Sequence, residues 1–257
     1  MASFFANFPV INYKFGNEEN STIFQNIGAY IKVIDEIADD IAFYSTLFIQ
    51  DYDRPDSLSY MLYGTTEFYW TFYYLNEDIR ESGWPIPQQD ILPKAKIDYP
   101  HQTIVTTADI SKTFLPGQTA TGLGTGNASG IIIKRYLDLG QIVIQTSDTF
   151  ITSDPPNFVV PVINGVAQTA DIIEYTSSVV QYNSVHHYEN SSGEHVDLGL
   201  VPTGQGDTAF PSTAGKTPIT YHDRLIAKND SLREIKVLKP EVAAQIKTEF
   251  NKLLLQG

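Results

Sequence analysis

The sequence contains no cysteine, which excludes disulfide bonds and thiolate metal sites and leaves the redox compartment undetermined. Basic residues are also scarce: 17 Lys and Arg stand against 30 Asp and Glu, a formal net charge of -13. This balance disfavours nucleic acid and anionic membranes as partners, because phosphate binding needs a basic patch. No apolar run is long enough for a signal peptide or a membrane span. The composition therefore predicts a globular protein made in the cytoplasm, large enough for one domain or two.

Aromatic side chains are concentrated in residues 53–76, DRPDSLSYMLYGTTEFYWTFYYLN. Pro55 suits the first turn of a helix, where its missing N–H would have no partner, and Gly64 suits the left-handed residue that ends one. The spacing i, i+3, i+4 predicts one apolar face on this helix. That face consists of Leu58, Met61 and Leu62.

A second helix is predicted to follow, with Thr65 as its N-cap. Asn76 is expected to end it, since Asn tolerates the left-handed conformation. Phe68, Phe72 and Leu75 recur at helical spacing and are predicted to join Leu58 and Leu62 in the core. Both helices are too short to be stable alone, so they need a sheet or a partner to pack against.

Four further elements are predicted near the two ends of the chain. The apolar spacing in Ile23–Ile37 favours a helix, while Ile41–Gln50 alternates and favours a strand; Asp39 and Asp40 are interpreted as a solvated helix end. Ser231–Leu238 alternates and predicts another strand, after which Pro240 begins an amphipathic helix. The apolar side of that last helix consists of Val242, Ile246, Phe250 and Leu253.

The middle of the chain has a different character. Short β-branched runs separated by Gly, Pro, Asn, Thr and Ser predict a small all-β barrel or sandwich over residues 101–176. Residues 177–220 are predicted to form a hairpin, HHYENSSGEHVDL, that turns at Asn190–Gly193, and then an extended loop over Val201–Pro218. This loop is expected to become ordered against a partner.

The predicted strands near the two ends explain how the chain folds back on itself. Neither Ile41–Gln50 nor Ser231–Leu238 can satisfy its backbone alone, so the simplest solution pairs them. The sequence thus predicts an α+β fold in which residues 1–100 and 221–257 form a split β-α-α-β module. The β-rich middle and long loops are inserted into this module.

Three motifs were considered for chemistry. GLGTGNASG, Gly122 to Gly130, is not G-x-G-x-x-G and leads into a strand-like segment, so a hairpin loop is favoured over a phosphate site. A second motif contains side chains that can ligate a metal, namely His186, His187, Glu189, Glu194 and His195. Their spacing matches no zinc signature, and the polar face of a hairpin explains them equally well.

The third motif consists of His222 and Asp223 beside Arg224, which would form half of a proton relay, yet no nucleophile elbow accompanies them. We therefore predict no catalytic, cofactor-binding or metal-binding residue and no enzymatic activity.

The motifs of residues 53–84 carry a family resemblance. These residues resemble the baseplate wedge protein of T-even-type contractile-tailed bacteriophages, the gene product fifty-three family with its LysM-like module. The shared motifs are D-R-P-D-x-L, L-Y-G, F-Y-W and L-N, followed by Gly83-Trp84. The C-terminal SLREIKVLKPEVAAQIKTEFNKLL and the hairpin before it are similar to the end of that family. The resemblance covers residues 1–100 and 184–257, whereas residues 101–175 have no counterpart.

The resemblance implies a structural subunit of the virion, located in the tail baseplate and present in several copies of a symmetric assembly. Its partners would be other wedge and hub proteins, because the family ties adjacent wedges together and to the hub. The alternative is a LysM-type module that binds peptidoglycan or chitin. Tyr and Trp give large contact areas with few torsions to order, so the candidate partner interface is drawn from them. It consists of Tyr63, Tyr69, Trp70, Tyr73 and Trp84.

Overall fold

The computed structural model describes residues 10–14, 22–25, 43–123, 128–151, 157–196, 201–202, 208–209, 215–245 and 248. They are divided between two compact units, the first from residues 1–87 and 229–257 and the second from residues 88–228. Helices and sheets occur together, which confirms the predicted α+β class. No helix among the described residues has the length and apolarity needed to cross a bilayer.

The first unit contains four strands and three α-helices in its described part. The strands are β1 (Val10–Tyr13), β2 (Thr22–Gln25), β3 (Tyr44–Phe48) and β17 (Glu234–Leu238). The helices are α1 (Pro55–Tyr63), α2 (Trp70–Leu75) and α3 (Glu77–Ser82), with a 3-10 turn at Thr66–Phe68 before α2. Residues 240–245 are also helical, where the C-terminal amphipathic helix is predicted to begin.

Strands β3 and β17 form an antiparallel pair, as predicted from their unmet hydrogen bonds, with Ile235 opposite Leu47 and Leu238 opposite Tyr44. Because side chains alternate along a strand, one face of this pair turns toward the helices. That face packs on α1, α2 and α3 in a core cluster of buried residues. The cluster consists of Ile49, Leu58, Phe72, Ile79, Leu232, Ile235 and Val237.

The helices of residues 55–76 agree with their sequence signals in most respects. Gly64 ends α1 at φ 71°, and the Thr65 hydroxyl accepts a hydrogen bond from the Glu67 N–H. Leu58, Phe68 and Phe72 are buried as predicted, while Leu62 and Leu75 are half-buried against the core.

Three local predictions in the first unit are wrong. Met61 is 67% exposed, because Leu58 and Leu62 alone cover the apolar face of α1. Asn76 ends α2 in an extended conformation (φ -126°) rather than a left-handed one, because its side chain binds β17. The beginning of Ile23–Ile37 is a strand, since Thr22–Gln25 pairs with β1.

The second unit consists mainly of antiparallel strands. They are β4 (Gln102–Val105), β5 (Thr119–Gly122), β6 (Ser129–Tyr136), β7 (Gln141–Gln145), β8 (Phe158–Ile163), β9 (Val166–Ala167), β10 (Ile173–Glu174), β11 (Ser177–Val180), β12 (Val185–Glu189), β13 (His195–Val196), β14 (Val201–Pro202), β15 (Thr208–Ala209) and β16 (Thr217–Thr220). Its helices are α4 (Gln88–Asp98) and α5 (Tyr221–Ser231), with the unit boundary after Lys228 in α5.

An eight-stranded sheet runs in the order β10-β8-β5-β6-β7-β4-β11, with β9 beside β8. The β-branched runs of the middle segment all contribute strands to it; they are TIVTTADI, GIIIKRYL, QIVIQT, NFVVPVI and ADIIEY. Its main cluster of buried residues lies on one face. The cluster consists of Ile104, Ile110, Phe114, Ala120, Ala128, Ile132, Ile142, Ile144, Phe150, Val159, Ile173 and Tyr175.

The hairpin predicted at Asn190–Gly193 is present between β12 and β13, with Gly193 at φ 76°. Within the predicted loop Val201–Pro218, the structure describes a short pair of strands, β14 with β15, and the beginning of β16. Asp39, Asp40, Ile246, Phe250 and Leu253 lie outside the described residues, as do residues 124–127.

Candidate partner-binding surface

The Asn76 side chain completes the edge of β17 that faces away from β3. Its amide nitrogen donates to the carbonyl oxygens of Lys236 (2.9 Å) and Phe72 (2.8 Å), and its oxygen accepts from the Lys236 N–H (2.8 Å). The Tyr63 hydroxyl donates to the Leu238 carbonyl oxygen at 3.0 Å. Side chains from the helical segment thus take the place of a neighbouring strand at these two positions of β17.

A second polar contact joins the C-terminal part of the first unit to the residues around Ile86. Asn229 is buried and exchanges two hydrogen bonds with the Ile86 backbone, at 2.8 and 3.0 Å. The buried Arg233 guanidinium donates to Asp51 Oδ1 (2.5 Å) and to the carbonyl oxygens of Ile49 and Ile86. Because charge-assisted bonds of this kind are strong, these residues fix the C-terminal segment to β3 and to the end of the helical segment.

Three of the predicted interface residues pack against the core of the first unit. The Trp84 indole N–H donates to the Asp53 carbonyl oxygen (2.7 Å), and its ring lies 6.1 Å from Phe72 and 5.9 Å from Tyr73. Tyr63 stacks on Phe72 at 6.3 Å, and burial raises the pKa of its phenol to about 12. Burial likewise raises the pKa of Tyr73. Only the remaining exposed part of each of these side chains is accessible to another protein.

The other two predicted interface residues lie nearer the surface. Tyr69 is exposed, and Trp70 is half-buried at the beginning of α2. No observation tests whether any of the five contacts a partner, so the interface remains a prediction.

Several large apolar side chains outside the predicted interface are more exposed than Tyr69. Phe48, Tyr52, Tyr60 and Met61 are all more than half exposed. Tyr52 also has a positive φ of 70°, which costs a non-glycine residue conformational energy. Tyr60 lies off the stripe that Leu58 and Leu62 define on α1, whereas Met61 has the spacing of that stripe and is exposed nonetheless.

A groove of about 510 Å³ lies in the first unit beside β17, α3 and the end of α5. Exposed Glu77, Asp78 and Glu234 line it together with Lys236, and Glu77 already pairs with Arg80 at 2.7 Å. Ile79, Leu232 and Ile235 form its apolar part. The groove therefore has mixed polarity.

The histidines considered as metal ligands meet in the second unit, but not as a metal site. His186 Nδ1 lies 2.9 Å from His187 Nδ1, and His187 Nε2 lies 3.1 Å from Glu189 Oε1. The His187 and His195 rings are 4.8 Å apart, whereas Glu194 binds Asn190 in the hairpin turn. Within the described part of the chain, no group of three or more His, Asp or Glu side chains has the geometry to hold a metal ion.

The remaining chemical motifs have structural roles. Asp223 Oδ2 accepts from the N–H and hydroxyl of Thr220, and the Thr220 hydroxyl accepts from the Asp223 N–H, which is a reciprocal cap at the beginning of α5. Gly122 and Gly130 flank the connection between β5 and β6, which pair antiparallel with Thr121 opposite Ser129. A strand, not a helix N-terminus, follows this connection, so the arrangement expected of a phosphate loop is missing there.

Comparison with known proteins gives one match to a family and none to a curated protein. The match covers residues 4–107, from the segment before β1 through β4, and includes α1 to α4. It contains the aromatic motifs of residues 53–84 that carry the resemblance, whereas the C-terminal resemblance lies outside it. Residues 4–107 match the model of the phage family described as Base plate wedge protein 53, which supports the resemblance carried by those motifs.

Proposed function

We propose that this protein is a structural subunit of a contractile phage tail baseplate, in which it ties adjacent wedges together and to the central hub. The observation that carries the proposal is the family match over residues 4–107, which contains the aromatic-rich helices. The proposed location is the virion, after synthesis in the host cytoplasm, in several copies. The proposed partners are the other wedge and hub proteins, and no catalytic role is proposed.

The β3–β17 pair with α1 and α2 supports a split LysM-like module as the architecture of the first unit. In this proposal, residues 1–100 and 221–257 provide the module, residues 101–176 an inserted β domain, and residues 177–220 the hairpin and loop. Helices α1 and α2 follow β3 as the β-α-α-β order requires, α3 is an additional short helix, and the polar contacts of Asn76, Asn229 and Arg233 hold the two sequence segments together.

Exposed aromatic side chains beside a stable core support assembly through protein contacts. Within the predicted interface, Tyr69 is exposed, whereas Tyr63, Tyr73 and Trp84 pack against the core. Burying an exposed Tyr in an interface typically contributes roughly 1–3 kcal/mol of binding free energy. The side chain is therefore a suitable position at which to test assembly without disturbing the fold.

The experiment is co-purification of the full chain with the wedge and hub proteins of the same phage, compared between wild type and Tyr69→Ser. We expect a fixed-stoichiometry complex with wild type and binding reduced about tenfold in the variant. Asp78→Ser, an exposed substitution on α3, is the matched control and is expected to bind as wild type does. Failure of wild type to associate with any of these proteins contradicts the proposed function.

The same preparation discriminates the glycan-binding alternative. That alternative predicts binding of chitin or peptidoglycan fragments, lost on substitution of Trp70 or Tyr73. The structural proposal predicts that neither fragment binds. Glycan binding without association with baseplate proteins would replace the proposal by the alternative.

A further inference from the structure

The β12–β13 hairpin of the second unit contains two adjacent histidines on the same side of one strand. Neighbouring residues in a strand normally point to opposite faces. Here the pairing of β12 with β16 shifts between Val185 and His187, so that His186 is the extra residue of a bulge. A bulge redirects a side chain in this way, which brings the His186 and His187 rings together.

The contact between the two rings requires a particular distribution of protons. The Nδ1 atoms are 2.9 Å apart, so one must carry a proton and the other a lone pair. Since His187 Nε2 faces Glu189 Oε1 at 3.1 Å and a carboxylate only accepts, Nε2 carries the proton in neutral His187. His187 Nδ1 is then the acceptor and His186 Nδ1–H the donor.

This arrangement tolerates one additional proton but not two. With one additional proton, one ring is cationic, and its Nδ1–H donates to the Nδ1 lone pair of the other ring. With two, both Nδ1 atoms carry protons and both rings are positive, so that the 2.9 Å contact becomes repulsive. We propose that the His186–His187 pair is a proton-sensitive joint: it holds the His186 ring against Tyr221 at the beginning of α5, and this contact between the β12–β13 hairpin and α5 opens when both rings are protonated.

The surroundings oppose the second proton from every element packed on the pair. Burial is the largest cause that lowers the pKa of His186 to about 4, and the charges of Arg224 of α5, His187, His195 of β13 and Lys134 of β6 act in the same direction. Tyr221 of α5, which also contacts Tyr99 and Tyr136, presents its ring edge-on to His186 at 4.9 Å. The Glu189 carboxylate also contacts the pair, but it binds His187 rather than His186.

The sign of the pH dependence follows from these contacts. A histidine in an unfolded or detached hairpin takes up its proton near pH 6.5, whereas His186 in the closed joint does so only near pH 4. Protons therefore favour the open hairpin as the pH falls from about 6.5 toward 4, and the joint is fully stable above that range.

The test is hydrogen exchange of the full chain, followed by mass spectrometry of residues 185–196 at pH 7.0 and pH 4.5 and corrected for intrinsic exchange. We expect protection in wild type to fall at least about tenfold at the lower pH, the effect of one titrating group over one pH unit. His186→Asn retains an N–H donor at the Nδ1 position and does not titrate, so its protection is expected to fall less than about threefold. His222→Asn, a histidine of α5 outside the pair, should behave like wild type.

Equal loss of protection in wild type and His186→Asn, or no loss in wild type, overturns the proposal. If His186→Asn does not fold, the nitrogen chemical shifts of the two wild-type rings decide the question. One protonated and one unprotonated Nδ1 at pH 7, with a second protonation step coupled to exchange of the hairpin, supports the joint. Two protonated Nδ1 atoms at pH 7 contradict it.

Discussion

At the scale of single residues, two asparagine amides act as substitutes for strand backbone. Asn76 binds both the N–H and the carbonyl of Lys236, and Asn229 binds both groups of Ile86. A carboxamide has the donor and acceptor of a peptide group, so it can pair with an extended residue as a strand would. This chemistry explains why Asn76, rather than Gly or Asp, stands at the end of α2.

Replacing Asn76 by Asp should therefore destabilise the first unit. The carboxylate accepts from the Lys236 N–H but cannot donate to the Phe72 and Lys236 carbonyls, and it repels them. We expect the free energy of unfolding to fall by about 2 kcal/mol. Both tryptophans, Trp70 and Trp84, lie in the first unit, so urea denaturation followed by tryptophan fluorescence measures the effect there.

Asn12→Asp is the control for the Asn76 variant, since Asn12 is an exposed residue of β1 and the substitution adds the same charge. Its effect should stay within about 0.5 kcal/mol. A midpoint for Asn76→Asp equal to that of the control would show that the amide does not stabilise β17.

At the scale of elements, strands and helices with a regular hydrophobic spacing were predictable, whereas those with few buried side chains were not. The pairing of β3 with β17 followed from two strands that had no other partner near in sequence. Helix α4 was missed because Pro93 interrupts it and only Ile91 and Ala95 are buried. Helix α5 was missed although Thr220 and Asp223 form a capping pair, because Asp223 was interpreted only as a candidate relay residue with His222.

The burial of the aromatic side chains of residues 53–84 was predictable to a similar degree. Helical spacing separated the buried Phe68 and Phe72 from the exposed Tyr69. It could not reveal that Trp84 donates to Asp53 or that Tyr63 donates to Leu238, because both contacts join segments distant in sequence. Spacing also could not reveal that Tyr52, which is exposed, adopts a positive φ at the turn after β3, a conformation that Gly adopts more readily.

The close packing of β6 on β7 gives an element-scale prediction at Gly130. A Cβ at this position would clash with the Gln145 carbonyl oxygen and lie 2.8 Å from Ile144 Cγ2. Gly130→Ala must therefore displace the backbone of the ladder, at a cost of about 2–3 kcal/mol. Faster hydrogen exchange in residues 129–145 is the expected readout.

Gly122→Ala provides the comparison for Gly130→Ala. The nearest atom to its added Cβ is Phe150 Cδ1 at 3.3 Å, the edge of a ring rather than backbone. Exchange in the same segment should change by a smaller amount, equivalent to less than about 1 kcal/mol. Equal effects of the two substitutions would show that the β6–β7 contact at Gly130 adapts without strain.

At the scale of the whole molecule, the first unit is built from both ends of the sequence. Residues 229–257 provide β17 and three members of the core cluster, Leu232, Ile235 and Val237. The main core of the second unit lies between Ile104 and Tyr175 and contains none of them. The last residues of the chain are therefore necessary for the first unit and dispensable for the main sheet of the second.

Ending the chain after Lys228 should unfold the first unit while the eight-stranded sheet persists. The truncation removes the three core-cluster side chains Leu232, Ile235 and Val237, worth about 2 kcal/mol each, which is a large part of a domain's 5–15 kcal/mol, and it leaves β3 without its strand partner. We expect tryptophan emission to shift to the solvent-exposed wavelength, while residues 129–145 keep their hydrogen-exchange protection. A synthetic peptide of residues 229–257, added in excess, should reverse the shift. The same peptide with Arg233→Met should be at least about tenfold less effective, because it lacks the hydrogen bonds to Asp51, Ile49 and Ile86. Unchanged emission in the truncated chain would mean that residues 1–87 fold without their C-terminal strand.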